Sequence, residues 1–417
     1  MAPATDRSGD VAWMMSVGFV HELAVLGTGL GSPRRQRCCS ISMKSPTAET
    51  VGRISAGVLM SAVLGLSVPT DVLAKSSMRL PSKAPETNAQ AILLDAVPNC
   101  PAWLKEAGIS VSSVTTEGGG NIRSSGGEVR SSKGLKTWPY IEKSTAKALD
   151  KLGGSGLLGS LDGKDRDSAE ARLEDAKSAL RAMKASAEKK KSADVISNQI
   201  IGLRAMDDIA SIISMRSTTP RPVADEFSKL PKLFGHADVE LLVGYKTPSG
   251  QPTKGKVLLE LDGFSSPISA GSFASLVKNG NYDGLTIRNE DEVLVETETP
   301  KMASPQPIPI EILVQGSDSA EYGTSLQEAG LFNERPVLPF NAYGTLALSH
   351  PFDDLNSQGG FFFVKTDPTE TPAGLNLLDG NYSVVGYVID GQTVLSDLKA
   401  GDSVISAKLV GGVYDFI

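Results

Sequence analysis

Several residue types are scarce in this chain, and each scarcity excludes a class of protein. Its 417 residues include three cysteines and three histidines, with 6% aromatic residues. So few cysteines argue against a disulfide-dense secreted scaffold, and so few histidines argue against a multi-zinc domain. No run of about 18 uninterrupted apolar residues occurs, so no stretch has the usual length and composition of a membrane-spanning helix.

The chain also lacks an excess of positive charge. It carries 41 Lys and Arg against 48 Asp and Glu, which gives a formal net charge of −7. Phosphate backbones and anionic lipids select for basic surfaces, so a general nucleic-acid or membrane-surface binder is not expected. A composition of 40% hydrophobic and 21% charged residues is typical of a globular protein of two or three domains.

Residues 1–74 have the features of a cleaved targeting segment. Arg53 precedes a short apolar run at 54–68, and Val72-Leu73-Ala74 supplies small or compact residues at the positions that a signal peptidase reads. We therefore expect cleavage after Ala74, so that the mature chain begins at Lys75.

Two interpretations of this segment remain open. The basic run at 34–37 favours a plastid-targeting part that acts before the signal peptide, whereas a start at Met43 would leave a plain signal for a secreted or periplasm-like compartment. Cys38 and Cys39 are absent from the mature chain in either case, which leaves Cys100 without a disulfide partner. No histidine or basic residue flanks Cys100, so an ordinary thiol is expected.

Residues 75–235 show helical patterning, interrupted by flexible polar segments. Two apolar stripes with helical spacing are present: Leu173, Ala176, Leu180, Met183 and Ala187, and then Ile196, Ile200, Leu203, Met206, Ile209 and Ile213. We expect the two helices to bury their stripes on each other, although two amphipathic helices can also recruit a partner. Ser192 or Asp194 would cap the second helix, and a further helix would begin near Thr137-Trp138-Pro139. This region is therefore predicted to be an α-helical bundle.

Residues 236–417 change to short apolar runs separated by glycine and polar turns. The predicted strands are Val239–Tyr245, Val257–Leu261, Ile308–Val314, Gly344–Ser349, Phe361–Val364, Tyr382–Ile389 and Val404–Val410. Two short helices are expected, Ala270–Lys278 with a cap at Ser269, and Thr393–Lys399. The fold predicted for the whole chain is multidomain: an N-terminal α-helical bundle, then a closed antiparallel β-barrel capped by two helices.

Three stretches of the strand region resemble the cyclophilin family of peptidyl-prolyl cis-trans isomerases. Residues 339–364 contain G-T-L-A-L-S-H, a polar loop and Q-G-G-F-F-F-V, similar to the family's G-x-L-x-M-A-N and S-Q-F-F-I. L-L-D-G-N-Y-S-V-V-G at 377–386 is similar to W-L-D-G-K-H-V-V-F-G, and G-F-S-S-P-I-S-A-G-S-F at 263–273 resembles the start of the family's first helix. The resemblance covers about residues 236–411. The insertion at 302–336 and the helical N-terminal region are similar to the thylakoid-lumen cyclophilins.

The resemblance implies a catalytic site from which this sequence departs. The family's Y-x-G-x-x-F-H-R corresponds to residues 282–289, which places Asn289 at the catalytic arginine and Arg288 at the histidine before it. The implied peptide-binding pocket consists of Val293, Leu294, Glu296, Ser349, His350, Phe362, Leu377, Leu378 and Tyr382. Of these, Phe362 and Leu378 alone keep the family's residue, so a degenerate active site is expected.

The expected function follows from this loss. A prolyl amide rotates over a barrier of about 18–20 kcal/mol, and the family's arginine donates a hydrogen bond to the amide as it twists. Without that donor, we expect a protein-folding and assembly factor of the chloroplast thylakoid lumen, where the resembling proteins assist photosystem II assembly or maintenance. One alternative is a weak isomerase that uses Arg288, and another is a structural scaffold with no peptide-binding role.

Protein or peptide clients are the expected partners, including photosystem II subunits, with a further contact through the helical domain. No nucleic acid is expected. Neither a cofactor nor a metal is expected, because the three histidines are scattered along the sequence and no His/Cys/carboxylate cluster has the spacing of a zinc site.

Overall fold

Five helices precede a strand-rich region in the part of the chain that the computed structural model describes, residues 86–115, 135–153, 158–159, 161–291, 293–301, 306–365 and 378–417. The helices are α1 (Ala89–Ala96), α2 (Ala102–Ser112), α3 (Trp138–Gly153), α4 (Gly163–Glu188), α5 (Ser192–Ser217), α6 (Pro267–Lys278) and α7 (Gln392–Asp397). The strands are β1 (Leu233–Lys246), β2 (Pro252–Asp262), β3 (Ile287–Glu290), β4 (Leu294–Thr297), β5 (Glu311–Leu313), β6 (Ala320–Tyr322), β7 (Thr345–Leu348), β8 (Phe361–Val364), β9 (Val384–Asp390) and β10 (Ser403–Phe416). The expected targeting segment, 1–74, lies outside the described residues.

Helices α4 and α5 form the helical pair that the apolar stripes predict. All five stripe residues of α4 are buried: Leu173, Ala176, Leu180, Met183 and Ala187. The stripe of α5 divides into three buried and three half-buried residues, respectively Leu203, Met206 and Ile209, and Ile196, Ile200 and Ile213. The expected cap is wrong, because Lys191 occupies the N-cap without a side-chain hydrogen bond and both Ser192 and Asp194 lie inside the first turn.

The first three helices complete the bundle. The Asn88 side chain caps α1 by accepting a hydrogen bond from the Ala91 N–H at 3.1 Å, as short polar side chains do at helix N-termini. Helix α3 begins at Trp138, as the Thr-Trp-Pro signal predicts. Cys100, between α1 and α2, is partly buried, and burial raises the pKa of its thiol to about 12. The thiol therefore stays protonated at neutral pH.

The strand region forms one strongly curled antiparallel sheet of eight strands in the order β10-β1-β2-β9-β7-β8-β4-β3, beside a β5-β6 hairpin. Its two outermost strands approach each other: Thr286, just before β3, forms an isolated bridge with Ser403 of β10. Within the described residues that contact is a bridge and not a ladder, so the sheet is a half-barrel and the expected full closure is not shown. Helix α6 packs on β1, β9 and β10 and α7 packs on β2, and their position as end caps stays a prediction.

The two faces of the sheet bury different side chains, because successive residues of a strand point to opposite faces. On β8, Phe361 and Phe363 join the interior core with Phe273 of α6. Phe362 points to the other face, where it shares an apolar cluster with Ile92 and Leu93 of α1. The helical bundle therefore covers part of the sheet's outer face. The boundary predicted between 235 and 236 stays a prediction, since residues 84–417 form one compact unit.

Among the described residues, none of the helices combines the length and the apolar character that a bilayer crossing requires.

Candidate peptide-binding site

The position of Asn289 is set by a β-bulge in β3. Ile287 pairs with Thr297 of β4, but Asn289 pairs with Glu296, so Arg288 is an extra residue in the ladder. Thr297 and Glu296 are neighbours on one strand and face opposite sides of the sheet. The bulge therefore turns Asn289 away from the interior, where Ile287 is buried, and leaves Arg288 exposed.

A row of paired residues crosses the outer face from Asn289. Asn289 lies beside Glu296 of β4, Glu296 beside Phe362 of β8, and Phe362 beside Ala347 of β7. The Asn289 amide Nδ2 donates a hydrogen bond to Glu296 Oε2 at 2.9 Å. With about 4.8 Å between strands, Asn289 lies roughly 10 Å from Phe362 with a carboxylate between them. The predicted arginine and pocket-floor positions thus share one face.

Three aromatic rings form the other side of the predicted pocket. Tyr382 packs edge-on against Phe362, with ring centroids 5.1 Å apart, and stacks on His350 at 4.5 Å. The His350 nitrogens lie 2.8 Å from the Pro351 carbonyl oxygen and 2.9 Å from the Asn381 carbonyl oxygen. Burial first, and then the Glu296 charge, raise the pKa of the Tyr382 hydroxyl. These contacts hold His350 and Tyr382 in place.

The apolar pocket residues are distributed unevenly between the floor and the rim. Phe362 is only 3% exposed, whereas Val293 is 40% exposed in the turn before β4. Leu294 and Leu378 are partly buried against the outer-face cluster. Leu377 lies outside the described residues, so its predicted place remains untested. Val293 therefore contributes a rim and not the aromatic wall that the family places there.

Ser349 and Gly360 lie in close contact. The Ser349 N–H donates to the Gly360 carbonyl oxygen at 2.9 Å. A Cβ atom built on Gly360 would lie 2.7 Å from the Ser349 hydroxyl oxygen. A side chain at position 360 would therefore require the Ser349 hydroxyl to turn away.

Sequence reasoning missed two contributors to this face. Phe340 stacks on Phe362 with planes 7° apart and centroids separated by 6.1 Å, and its N–H donates to Asp379 Oδ1 at 2.8 Å. Burial raises the pKa of Asp379 to about 6. Leu93 of α1 is fully buried in the same apolar cluster as Phe362. The Pro-Phe pair at 339–340 could have indicated Phe340 from the sequence. No local pattern indicated that α1, which carries Leu93, covers the sheet.

Known proteins match this chain in the same region. The family described as cyclophilin type peptidyl-prolyl cis-trans isomerase/CLD matches residues 247–410. A putative thylakoid lumen peptidyl-prolyl cis-trans isomerase of Synechocystis is 36% identical over 296 residues, which cover 68% of this chain and 75% of that protein. The chain belongs to the cyclophilin family.

Two chloroplastic peptidyl-prolyl cis-trans isomerases of Arabidopsis thaliana are also similar. CYP38 is 34% identical over 206 residues, covering 46% of this chain, and CYP37 is 30% identical over 253 residues, covering 58%. The matches span 47% and 53% of those two proteins, about half of each. These relatives confirm the cyclophilin resemblance, including its thylakoid-lumen branch, and the predicted location of this cyclophilin in the chloroplast thylakoid lumen.

One group of described side chains could hold a metal ion, and it lies on different strands from the predicted pocket. Ligand atoms of Asp207, His236 and Glu260 lie within 4.8 Å of one another, and all three residues are buried. The expectation that no cluster has the spacing of a zinc site rested on the linear sequence, which does not indicate this group around His236. Residues separated by 29 and 24 positions meet because α5 packs on β1 and β1 pairs with β2.

Proposed function

We propose that this cyclophilin is a protein-folding and assembly factor that binds protein segments at a degenerate isomerase site. The observation that carries the proposal is the Asn289–Glu296 pair. The family's charged donor is replaced by a neutral amide, and that amide already donates to a carboxylate at 2.9 Å. A prolyl amide that twists at this site would therefore meet an Asn289 amide that already donates to Glu296, next to the negative charge of that carboxylate.

The expected catalytic loss follows from hydrogen-bond energies. A hydrogen bond with a charged partner is worth about 1.5–3 kcal/mol, and a neutral one about 0.5–1.5 kcal/mol. Catalysis gains only from interactions that strengthen in the transition state, so a loss of about 1–2 kcal/mol corresponds to roughly 5–30-fold in rate. The missing aromatic wall at Val293 lowers proline capture further.

Binding is supported by apolar side chains at the rim. Phe352 is 91% exposed, two residues after His350, and Val293 is 40% exposed. An exposed aromatic beside a shallow aromatic floor is the kind of anchor on which protein segments dock. Client segments with an apolar residue next to proline fit this rim best.

The lumenal relatives suggest the process. We infer that the clients are thylakoid-lumen proteins, that assembly or maintenance of photosystem II is the pathway, and that the helical bundle offers a second contact surface. We also infer that the sheet closes into a barrel through the Thr286–Ser403 contact. A barrel that merely presents the helical bundle is the remaining alternative, and it predicts no peptide binding.

A second candidate function, weak catalysis by Arg288, is favoured by the β-bulge. The bulge makes Arg288 the extra, exposed residue immediately before Asn289. A guanidinium at that point is long enough to approach a peptide lying along the row. If Arg288 acts this way, Arg288→Ala would remove the residual isomerase rate while leaving binding in place.

The test is a paired measurement on the chain from Lys75. Isomerisation of an Xaa-Pro peptide is followed together with binding of the same peptide, for the wild type and for Phe352→Ser. We expect a rate close to the uncatalysed one, saturable binding, and weaker binding by Phe352→Ser. If the folded protein neither binds nor isomerises the peptide, the scaffold interpretation is the one that remains.

A further inference from the structure

The buried cluster behind β1 and β2 is built by strand register. His236 of β1 lies directly opposite Asp262 of β2, and Glu260 is two residues before Asp262, so their side chains share one face. Helix α5 packs on that face and brings Asp207 to His236. Three different elements therefore supply four ionisable side chains to one buried point.

The contacts give each ring nitrogen of His236 a distinct neighbour. Nδ1 lies 2.7 Å from Asp207 Oδ2 and 3.6 Å from Glu260 Oε1, and Nε2 lies 3.3 Å from Asp262 Oδ1. Asp262 Oδ1 is itself fixed, because it accepts hydrogen bonds from the backbone N–H groups of Phe264 at 2.7 Å and Ser265 at 3.0 Å. A carboxylate held in this way orients the imidazole so that Nδ1 faces the other two acids.

Acidic side chains outnumber basic ones at this point. Three carboxylates surround one imidazole, and Arg204, at the same interface, is ion-paired with Asp238. Buried carboxylates are very costly unless they are paired. One oxygen of each acid is buried without a hydrogen-bond partner: Asp207 Oδ1, Glu260 Oε2 and Asp262 Oδ2. Buried oxygens without donors, on the same two carboxylates that face Nδ1 of His236, are an arrangement that a cation would satisfy.

We propose that Asp207, His236 and Glu260 bind one divalent transition-metal ion, with Asp262 positioning the imidazole. Zn²⁺ accepts imidazole nitrogen and carboxylate oxygen as ligands, and the imidazole favours a transition metal over Mg²⁺ or Ca²⁺. Tetrahedral bonds of about 2.0–2.2 Å place neighbouring ligand atoms about 3.3–3.6 Å apart. Glu260 Oε1 already lies 3.6 Å from Nδ1, whereas Asp207 Oδ2, at 2.7 Å, would move outward when the ion binds. The ion takes the place of the proton between His236 and Asp207.

The ligands determine what the ion does. Asp207 comes from α5, His236 from β1 and Glu260 from β2, and the group is buried away from the peptide-binding row. The ion is therefore structural: it fastens the helical bundle to the sheet, and its binding free energy contributes to folding. A sealed site is loaded during folding, so the protein has to be refolded in the presence of the metal.

The experiment uses the full chain unfolded in urea and chelator, then refolded with either ZnCl₂ or chelator and desalted. Zinc per chain is measured by mass spectrometry, and the thermal unfolding midpoint is measured for both preparations. We expect one retained Zn²⁺ per chain and a higher midpoint with zinc. Glu260→Gln and His236→Gln should lower zinc affinity at least 10-fold, whereas the matched control Glu240→Gln, an acid at the surface of β1, should keep it.

Two results would overturn the proposal. One is a wild type that refolds fully and retains no zinc, with a midpoint that zinc does not move. The other is zinc retained equally by wild type, Glu260→Gln and His236→Gln, which would locate the metal elsewhere. Glu260→Gln has the shape of the acid, so it tests the site even if His236→Gln does not fold. A further pair of results is a wild type that holds no zinc and a Glu260→Gln variant that is as stable as the wild type when both are refolded in chelator. That pair of results would mean that a proton, and not a metal ion, neutralises the cluster.

Discussion

Replacing Asn289 by arginine is expected to raise the prolyl isomerase activity of this cyclophilin. The bulge at Arg288 turns position 289 to the face that carries Phe362. A guanidinium there supplies the charged donor that a twisting amide needs. The difference between a charged and a neutral hydrogen bond, about 1–2 kcal/mol, predicts a rise of roughly 5–30-fold in kcat/KM.

Glu296 limits that gain. Asn289 already donates to its carboxylate at 2.9 Å, and an arginine at 289 would pair with the same group in a bidentate way. The single substitution should therefore give less than the full rise, and Asn289→Arg with Glu296→Gln should give all of it. Adding Val293→Phe supplies the apolar wall and should lower KM.

The assay is isomerisation of an Xaa-Pro peptide at several substrate concentrations, with thermal unfolding of each variant as the check on folding. Asn289→Lys is the matched control. The lysine ammonium is a point charge without the planar, forked donors of a guanidinium, so this variant should gain less isomerase activity. The reasoning fails if the folded double variant is no faster than wild type. It also fails if wild type is already fast and Arg288→Ala abolishes that rate.

Three further predictions concern other parts of the molecule. Burial raises the pKa of Glu311 to about 7. Protonated Glu311 therefore contributes fully to stability below the ordinary pKa of a glutamate, and this contribution is lost as pH rises through about 7. When unfolding by urea is measured between pH 4.5 and 8, Glu311→Gln should show a flatter pH dependence of stability than wild type. Leu93 is fully buried and Ile109 is 49% exposed, so Leu93→Ala should cost about 2–5 kcal/mol of unfolding free energy and Ile109→Ala much less; equal losses would mean that α1 does not pack on the sheet. With its thiol pKa near 12, Cys100 should be alkylated slowly at pH 8 until urea unfolds the protein, and rapid native alkylation located by peptide mass spectrometry would contradict its burial.

The sequence predicted those features that depend on local periodicity. The α4 stripe of Leu173 and Leu180 is buried as predicted, and the predicted strand at Phe361–Val364 is β8 with the same bounds. Strand ends were less accurate: the predicted Val239–Tyr245 became Leu233–Lys246. Glycine, histidine and aspartate before Val239 are poor strand formers, but pairing with β2 and β10 holds them extended.

Features made by distant residues could not be predicted in this way. The Arg288 bulge depends on how β3 pairs with β4, which no pattern in five residues specifies. The buried cluster around His236 had a faint signal in the alternation of His236 with Asp238 and of Glu260 with Asp262, but both pairs also fit a solvated sheet face. Only the packing of α5 on β1, next to β2 in the sheet, shows that this face is buried.

The most direct test of the account compares catalysis and binding in the wild-type chain with the same Xaa-Pro peptide. The proposed degenerate site predicts an isomerisation rate close to the uncatalysed one, together with saturable binding by fluorescence anisotropy. Catalysis at the level of an ordinary cyclophilin, from a site with Asn289 at the arginine position, would contradict it.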